Sequence, residues 1–117
     1  MTEYIHAQKF FFTTGVKEGG YLEIKNGKFG AYLEEKPAKG TIIDYADKWI
    51  APGLVDTHIH GYKNHDVMDN DPEGIKVMSS ALLECGVTSF LPTTLTSSRE
   101  RLLAVSKTIR AVKDEVD

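Results

Sequence analysis

The segment Pro52-Gly53-Leu54-Val55-Asp56-Thr57-His58-Ile59-His60 decides the fold, because an apolar run ends in two histidines that are two residues apart. Pro52-Gly53 interrupts the pattern before it, and the residues from 54 to 60 are typical of a strand. Side chains alternate along a strand, so His58 and His60 are predicted to point the same way, about 6.6 Å apart along the chain. Two imidazoles at that spacing can bind one ion, which predicts part of a metal site.

The residues after this strand predict two β-α units in the order β-α-β-α. Asp71 suits a helix N-cap, Pro72 the first helical position and Gly86 the left-handed residue beyond the helix end, so we expect a helix over about 72–85. An apolar, β-branched run predicts a parallel strand over 87–95. The next segment, Ser97-Ser98-Arg99-Glu100, has the pattern of a capping box, and apolar residues at helical spacing extend that helix to about residue 115.

Before residue 51 the sequence predicts a small antiparallel β-sheet. Strand-like runs cover residues 5–12, 21–25, 28–33 and 41–45, and Asn26-Gly27 between the second and third is a strong hairpin signal. The expected organisation is therefore a β-rich segment over 1–50 and two β-α units over 51–117.

Composition narrows the class of protein. The 117 residues are 41% hydrophobic and 26% charged, which is typical of a soluble globular domain. The net charge of −3, without a basic run, excludes nucleic acid and membrane surfaces as expected partners. Without a secretory signal or a long apolar stretch, and with one cysteine, Cys85, the chain is expected in the cytoplasm. We expect Cys85 to be buried.

Three motifs resemble a known family. The segment from Ala51 to Gly61 resembles the first barrel strand of the amidohydrolase superfamily, which carries an H-x-H pair there. The stretches G-Y-K-N-H-D-V-M-D over 61–69 and G-V-T-S-F-L-P-T-T over 86–94 look like the N-acetylglucosamine-6-phosphate deacetylase family. The match is specific over residues 48–98, whereas only the β-rich character agrees over 1–40.

The resemblance implies an α/β fold: a partial (β/α)8 barrel, with its first two β-α units over 51–117, preceded by a small antiparallel β-domain segment over 1–50. A whole barrel needs about 250 residues, so the chain is expected to be an N-terminal fragment. The family removes the acetyl group of N-acetylglucosamine 6-phosphate, giving glucosamine 6-phosphate and acetate, with a divalent metal, zinc or iron. Its substrate is an amino-sugar phosphate.

For site residues, the resemblance implies that His58 and His60 are metal ligands in an incomplete site. The remaining ligands and the acid–base aspartate are expected beyond residue 117, so no catalytic residue is assigned within the chain, and it is predicted inactive alone. Asp56 has two open roles, orienting an imidazole or bonding backbone N–H groups. No substrate-binding residue is assigned.

Other polar and aromatic residues receive simpler expectations. His65 and Asp66 lie in the loop after the first strand, where a site role is open but a solvated loop is favoured. Asp69 and Asp71 are expected as turn and cap residues. Thr93 and Thr94 either border a pocket or simply favour a strand. The other three expectations concern packing and structure: His6 is structural, Met68 and Met78 are packing residues, and Trp49 packs where the two segments meet.

Two alternative functions remain open at this stage. Another amidohydrolase, of dihydroorotase-like or N-acyl amino acid deacylase type, would share the H-x-H strand, although the 61–69 motif argues against it. The chain could also be a non-catalytic folding or interaction module. A two-stranded parallel sheet has two open edges, so we expect a homo-oligomer or another association through exposed strand edges.

Overall fold

The computed structural model describes residues 2–116, and its elements group into two compact units, Met1–Pro52 and Gly53–Asp117. The first unit contains strands only, and the second contains the two α-helices. In chain order the elements are β1 (Glu3–Phe12), β2 (Gly15–Glu18), β3 (Tyr21–Lys25), β4 (Lys28–Leu33), β5 (Thr41–Ile50), β6 (Leu54–Ile59), β7 (Gly61–Tyr62), β8 (His65–Asp66), a 3-10 helix (Val67–Asp69), α1 (Pro72–Leu83), β9 (Val87–Pro92) and α2 (Arg99–Val112).

The first unit is a five-stranded sheet built around β1. Strands run in the order β2-β1-β3-β4, and β5 pairs with β1 as well. β3 and β4 form the predicted antiparallel hairpin, with positive φ at both Asn26 (52°) and Gly27 (70°), as a type I′ turn requires. The short strand β2, which pairs with the end of β1, was not predicted from the sequence.

The prediction of a purely antiparallel sheet is wrong, because β5 pairs with β1 in parallel, Tyr4 opposite Ile42 and Ile5 opposite Ile43. The stretch 34–40 is not a tight hairpin turn. It returns the chain to the start of β1. β3 occupies one edge of β1, so β5 pairs with the other edge and runs in the same direction as β1. β5 also extends to Ile50, five residues past the predicted end.

Aromatic and aliphatic side chains on one face of the sheet form the core of this unit. Ala7, Phe10 and Leu22 are buried, and the partly buried residues packed against them are Ile5, Phe12, Tyr32 and Ile50. The rings of Phe10 and Tyr32 meet edge to face, with centroids 5.7 Å apart, a favoured arrangement for aromatic pairs. Ala7 and Phe10 are both buried although they are three residues apart, and the register between β1 and β5 shifts between Ala7 and Lys9.

The second unit has the predicted order β-α-β-α, with β6 and β9 paired in parallel. Asp71 caps α1 through its side chain, Pro72 opens the helix, and Gly86 has φ of 78°, all as predicted. Several predicted boundaries shift by one to three residues. α1 ends at Leu83 rather than 85, β9 stops at Pro92, which lacks an N–H for the ladder, and Ser98 rather than Ser97 caps α2, which ends at Val112.

The core of the second unit joins both helices to the segment after β6. Val67, Met68, Met78 and Val105 are buried in one cluster, so the packing roles predicted for the two methionines are confirmed. The prediction that Cys85 is buried is wrong. Because α1 ends two residues early, Cys85 lies in the following turn rather than on the apolar stripe of the helix.

The two parallel strands keep apolar side chains exposed. Leu54 and Val55 on β6 are 62% and 64% exposed, and Leu91 on β9 is 58% exposed. Parallel strands are ordinarily covered on both faces, which is why their sequences are so apolar.

None of the helices described over residues 2–116 is long and apolar enough to cross a membrane.

Truncating the centre of the helical core should destabilise the second unit. Met78 is fully buried, so we expect Met78→Ala to lower the free energy of unfolding by about 2–5 kcal/mol. The matched control is Val77→Ala on the same helix, where the side chain is 44% exposed and about 0.5 kcal/mol or less is expected. Urea unfolding followed by helical circular dichroism reports this unit, and equal losses for both variants would contradict the packing described.

Candidate functional site

The structure brings His58 and His60 together at the carboxyl end of β6. Their Nε2 atoms are 3.2 Å apart, and the two rings lie at 78° to each other. If both nitrogens bound one zinc ion at about 2.1 Å, this separation would correspond to an N–Zn–N angle of about 100°, near the tetrahedral value. The donor set therefore fits a divalent ion that accepts imidazole nitrogen.

Backbone bonds on both sides of His60 fix its position just beyond the strand. The N–H of Val67 donates to the carbonyl of His60 (2.7 Å), and the N–H of Thr93 donates to the carbonyl of Ile59 (2.8 Å). The β6–β9 register is irregular between Asp56 and Ile59, so the chain leaves regular strand geometry where the histidines begin. The pair is held by the strand end and by the loop that follows.

The ring of His60 has a defined partner at its second nitrogen. Nδ1 of His60 lies 2.9 Å from the carbonyl oxygen of Thr93. A carbonyl oxygen can only accept, so in the neutral ring Nδ1 carries the proton and Nε2 carries the lone pair. His60 is thus held in the tautomer that a metal ligand needs at Nε2, and Nε2 of His58 lies 3.2 Å from that nitrogen.

Asp56 accepts a hydrogen bond from the backbone rather than from an imidazole ring. Its Oδ1 accepts the N–H of His58 at 3.0 Å, which is the second of the two roles left open by the sequence. A short acidic side chain commonly bonds the backbone two residues ahead, and this contact competes with regular strand pairing. The interaction coincides with the register irregularity and shapes the chain at His58.

Acidic side chains in the loop after the histidines cap the 3-10 helix and α1. Asp66 caps the 3-10 helix by accepting the N–H of Met68 (2.7 Å), and Asp69 accepts the N–H of Asp66 in return (2.8 Å). Asp71 accepts the N–H of Glu73 (3.1 Å) at the start of α1. The cap roles expected for Asp69 and Asp71 are confirmed, and Asp66 has the same kind of role.

His65 is half-buried and packs against the first turn of α1. A Cβ added at Gly74 would lie 2.7 Å from Nδ1 of His65, so the absence of a side chain at position 74 leaves room for the ring. The hydroxyl of Tyr62, in the same loop as His65, lies 3.3 Å from the thiol of Cys85 in the turn after α1, and this hydrogen bond raises the pKa of Tyr62.

Helix α2 anchors this loop through two contacts that the sequence did not predict. Arg101 Nη2 donates to the carbonyl of Met68 (3.0 Å), and the Thr108 hydroxyl donates to Asn70 Oδ1 (2.7 Å). Asn70 has φ of 58°, a left-handed conformation that asparagine tolerates. Sequence spacing does not show which helix Asn70 contacts.

The side-chain contacts given for Thr93, His6 and Trp49 are to groups other than the histidine pair. The Thr93 hydroxyl donates to the Leu91 carbonyl (3.0 Å), and Thr94 is half-buried beside it in the chain. In the strand-only unit, His6 contacts Asp44 (2.9 Å) and stacks on Tyr21, a structural role as expected. Trp49 is 62% exposed and donates to Gln8 within that unit (2.7 Å).

Over residues 2–116, no three or more histidine, cysteine, aspartate or glutamate side chains cluster as a metal site. His58 and His60 are a pair, and a catalytic zinc site uses about three protein ligands.

No protein-family model matches the chain. Curated proteins do match it. N-acetylglucosamine-6-phosphate deacetylase of Bacillus subtilis is 40% identical over 84 residues, which are 69% of this chain and 21% of the relative. N-acetylgalactosamine-6-phosphate deacetylase of Escherichia coli O157:H7 is 28% identical over 109 residues, 93% of this chain and 28% of the relative.

A solved structure agrees in fold. N-acetylglucosamine-6-phosphate deacetylase from Pasteurella multocida superimposes with a TM-score of 0.87 at 22% identity, covering 100% of this chain and 32% of that one. The chain thus spans about a fifth to a third of the length of the proteins it matches. By sequence, and with a fold in agreement, the chain is a homologue of the N-acetylglucosamine-6-phosphate deacetylases.

Proposed function

We propose that this chain supplies part of a metal-dependent hydrolase that converts N-acetylglucosamine 6-phosphate to glucosamine 6-phosphate and acetate. The observation that carries the proposal is the convergence of His58 and His60, with Nε2 atoms 3.2 Å apart at the end of β6. The 40% identity to a relative of that name supports the choice of substrate. The amino-sugar phosphate is then the partner of the whole enzyme.

In the proposed site, His58 and His60 would hold a divalent ion, zinc or iron. Such an ion polarises an amide carbonyl and lowers the pKa of a bound water to about 7. The chain's own residues orient the ligands: the Thr93 carbonyl holds the ring of His60, and Asp56 shapes the backbone at His58. The acid–base aspartate and the other ligands are proposed to lie outside this chain, which alone is proposed to be inactive.

We further propose that residues 51–117 are the first two units of a (β/α)8 barrel and that residues 1–50 belong to a small β-domain. The parallel pairing of β6 with β9 and their exposed apolar side chains support the barrel. The histidines also follow the carboxyl end of β6, the end at which barrel enzymes carry their sites. The cytoplasm is the proposed location, since a single cysteine suits a reducing compartment.

N-acetylgalactosamine 6-phosphate is a second candidate substrate. The relative named for that sugar aligns with 93% of this chain, more than the 69% aligned with the relative from Bacillus subtilis. Its sequence identity to this chain is lower, 28% against 40% for the relative from Bacillus subtilis, which favours N-acetylglucosamine 6-phosphate as the substrate. The two sugars differ at one hydroxyl, so the assay must include both.

The exposed apolar strands also support a proposal of association. Leu54, Val55 and Leu91 present apolar surface on a sheet of two parallel strands, which offers unpaired backbone groups at both edges. Another copy of the chain or the rest of a barrel would cover that surface. Light scattering of the isolated chain should show species larger than a monomer, and a stable monomer that unfolds cooperatively would contradict this.

The histidine pair should bind zinc weakly in the isolated chain. We expect Zn²⁺ to shift the backbone amide resonances of residues beside the pair, such as Gly61 and Thr93, in fast exchange, because two ligands give a loose site. The double variant His58→Gln/His60→Gln should lose the effect, whereas His6→Gln, in the other unit, should keep it. Shifts of equal size in the double variant would contradict the site.

Activity should require more than this chain. We expect no detectable release of acetate from either sugar phosphate by residues 1–117 with Zn²⁺ or Fe²⁺, because about three metal ligands are needed. The positive control is N-acetylglucosamine-6-phosphate deacetylase of Bacillus subtilis, which should release acetate from N-acetylglucosamine 6-phosphate under the same conditions. Turnover by the isolated chain would contradict the proposed division of the site.

A further inference from the structure

The end of β9 contacts two consecutive residues at the end of β6 through one residue, Thr93. The Thr93 N–H donates to the carbonyl of Ile59 (2.8 Å), and the Thr93 carbonyl accepts from Nδ1 of His60 (2.9 Å). The first bond fixes the backbone just before His60 and the second fixes the ring of His60. One peptide segment of the second strand thus sets both the place and the orientation of a proposed ligand.

This contact decides which nitrogen of the neutral His60 ring carries the proton. A free imidazole exchanges its proton between the two nitrogens, and only the form with the proton on Nδ1 leaves a lone pair on Nε2. The Thr93 carbonyl stabilises that form because it can accept a proton at Nδ1 and cannot donate one. Without the carbonyl, the ring would spend part of its time with Nε2 protonated and unable to bind an ion.

The carbonyl itself is well fixed. The Thr93 hydroxyl donates to the Leu91 carbonyl (3.0 Å), which ties residue 93 back to its own strand. On the other side, the Val67 N–H holds the His60 carbonyl (2.7 Å). The ring and its partner are therefore attached to different strands whose relative position depends on the β6–β9 pairing.

We infer that Thr93, through its main-chain carbonyl, is the positioning residue that prepares His60 for metal binding. The inference deepens the proposed function and rests on it: His60 acts as a ligand, and Thr93 acts through His60 without touching the ion. One consequence is that the ligand on β6 is fully prepared only when the second β-α unit has folded and β9 has paired with β6.

The proton position on His60 tests this directly in the metal-free chain. Long-range ¹H–¹⁵N correlation at about pH 8, above the usual imidazole range, should show a protonated Nδ1 and an unprotonated Nε2 for His60. His6 is a matched control, since its Nδ1 faces the Asp44 carboxylate. A proton on Nε2 of His60 would overturn the inference.

Weakening the carbonyl gives a second readout. Replacing Thr94 by its α-hydroxy-acid counterpart turns the carbonyl of residue 93 into an ester carbonyl, a poorer acceptor. We expect the His60 proton to shift toward Nε2 and zinc affinity to fall about tenfold, the lower end for losing a contact that orients a ligand. As a matched control, an ester placed at Thr96 weakens the carbonyl of residue 95 instead and should change affinity less than about twofold.

The two proposals fail in different ways. An Nδ1-protonated His60 in a chain that does not bind zinc would contradict the metal site while supporting the role of Thr93 in setting the ring. Zinc binding that is unchanged by the ester at position 94 would overturn the positioning role and leave the metal site standing.

Discussion

The parallel pairing of β6 with β9 is the constraint on which the site depends. The two strands are more than thirty residues apart in sequence at their paired ends, and α1 lies between them. Their pairing places Thr93 against Ile59 and His60, and it leaves the carboxyl ends of both strands at the same edge of the sheet. Without it, His58 and His60 would be two neighbouring strand residues with no fixed ring orientation.

Helix α2 holds the loop that follows the histidine pair. The loop from Gly61 to Asp71 is closed by the reciprocal contacts of Asp66 and Asp69, and α2 holds it through Arg101 and Thr108. Val67 is at once part of the buried core and the donor that fixes the His60 carbonyl. Core packing and site geometry are therefore linked through one residue, and a change in the helical core can reach the histidine pair.

Local signals in the sequence were enough for much of the fold. The Asn26-Gly27 turn, the Asp71 cap with Pro72, and the spacing of His58 and His60 depend on neighbouring residues, and each appears as predicted. The parallel placement of β5, the carbonyl of Thr93 at His60 and the contact of Arg101 with Met68 depend on residues 33–40 positions apart. Such contacts leave no periodic signal, and a main-chain carbonyl carries no sequence information at all.

Zinc K-edge X-ray absorption of the zinc-loaded chain tests most directly whether His58 and His60 share one ion. The predicted spectrum contains two imidazole nitrogens at about 2.0–2.1 Å, with oxygen from water completing the shell. The same measurement on the His58→Gln/His60→Gln double variant should lose the imidazole scattering. A first shell of oxygen alone, or imidazole scattering that persists in the double variant, would contradict the assignment of this pair as a metal site.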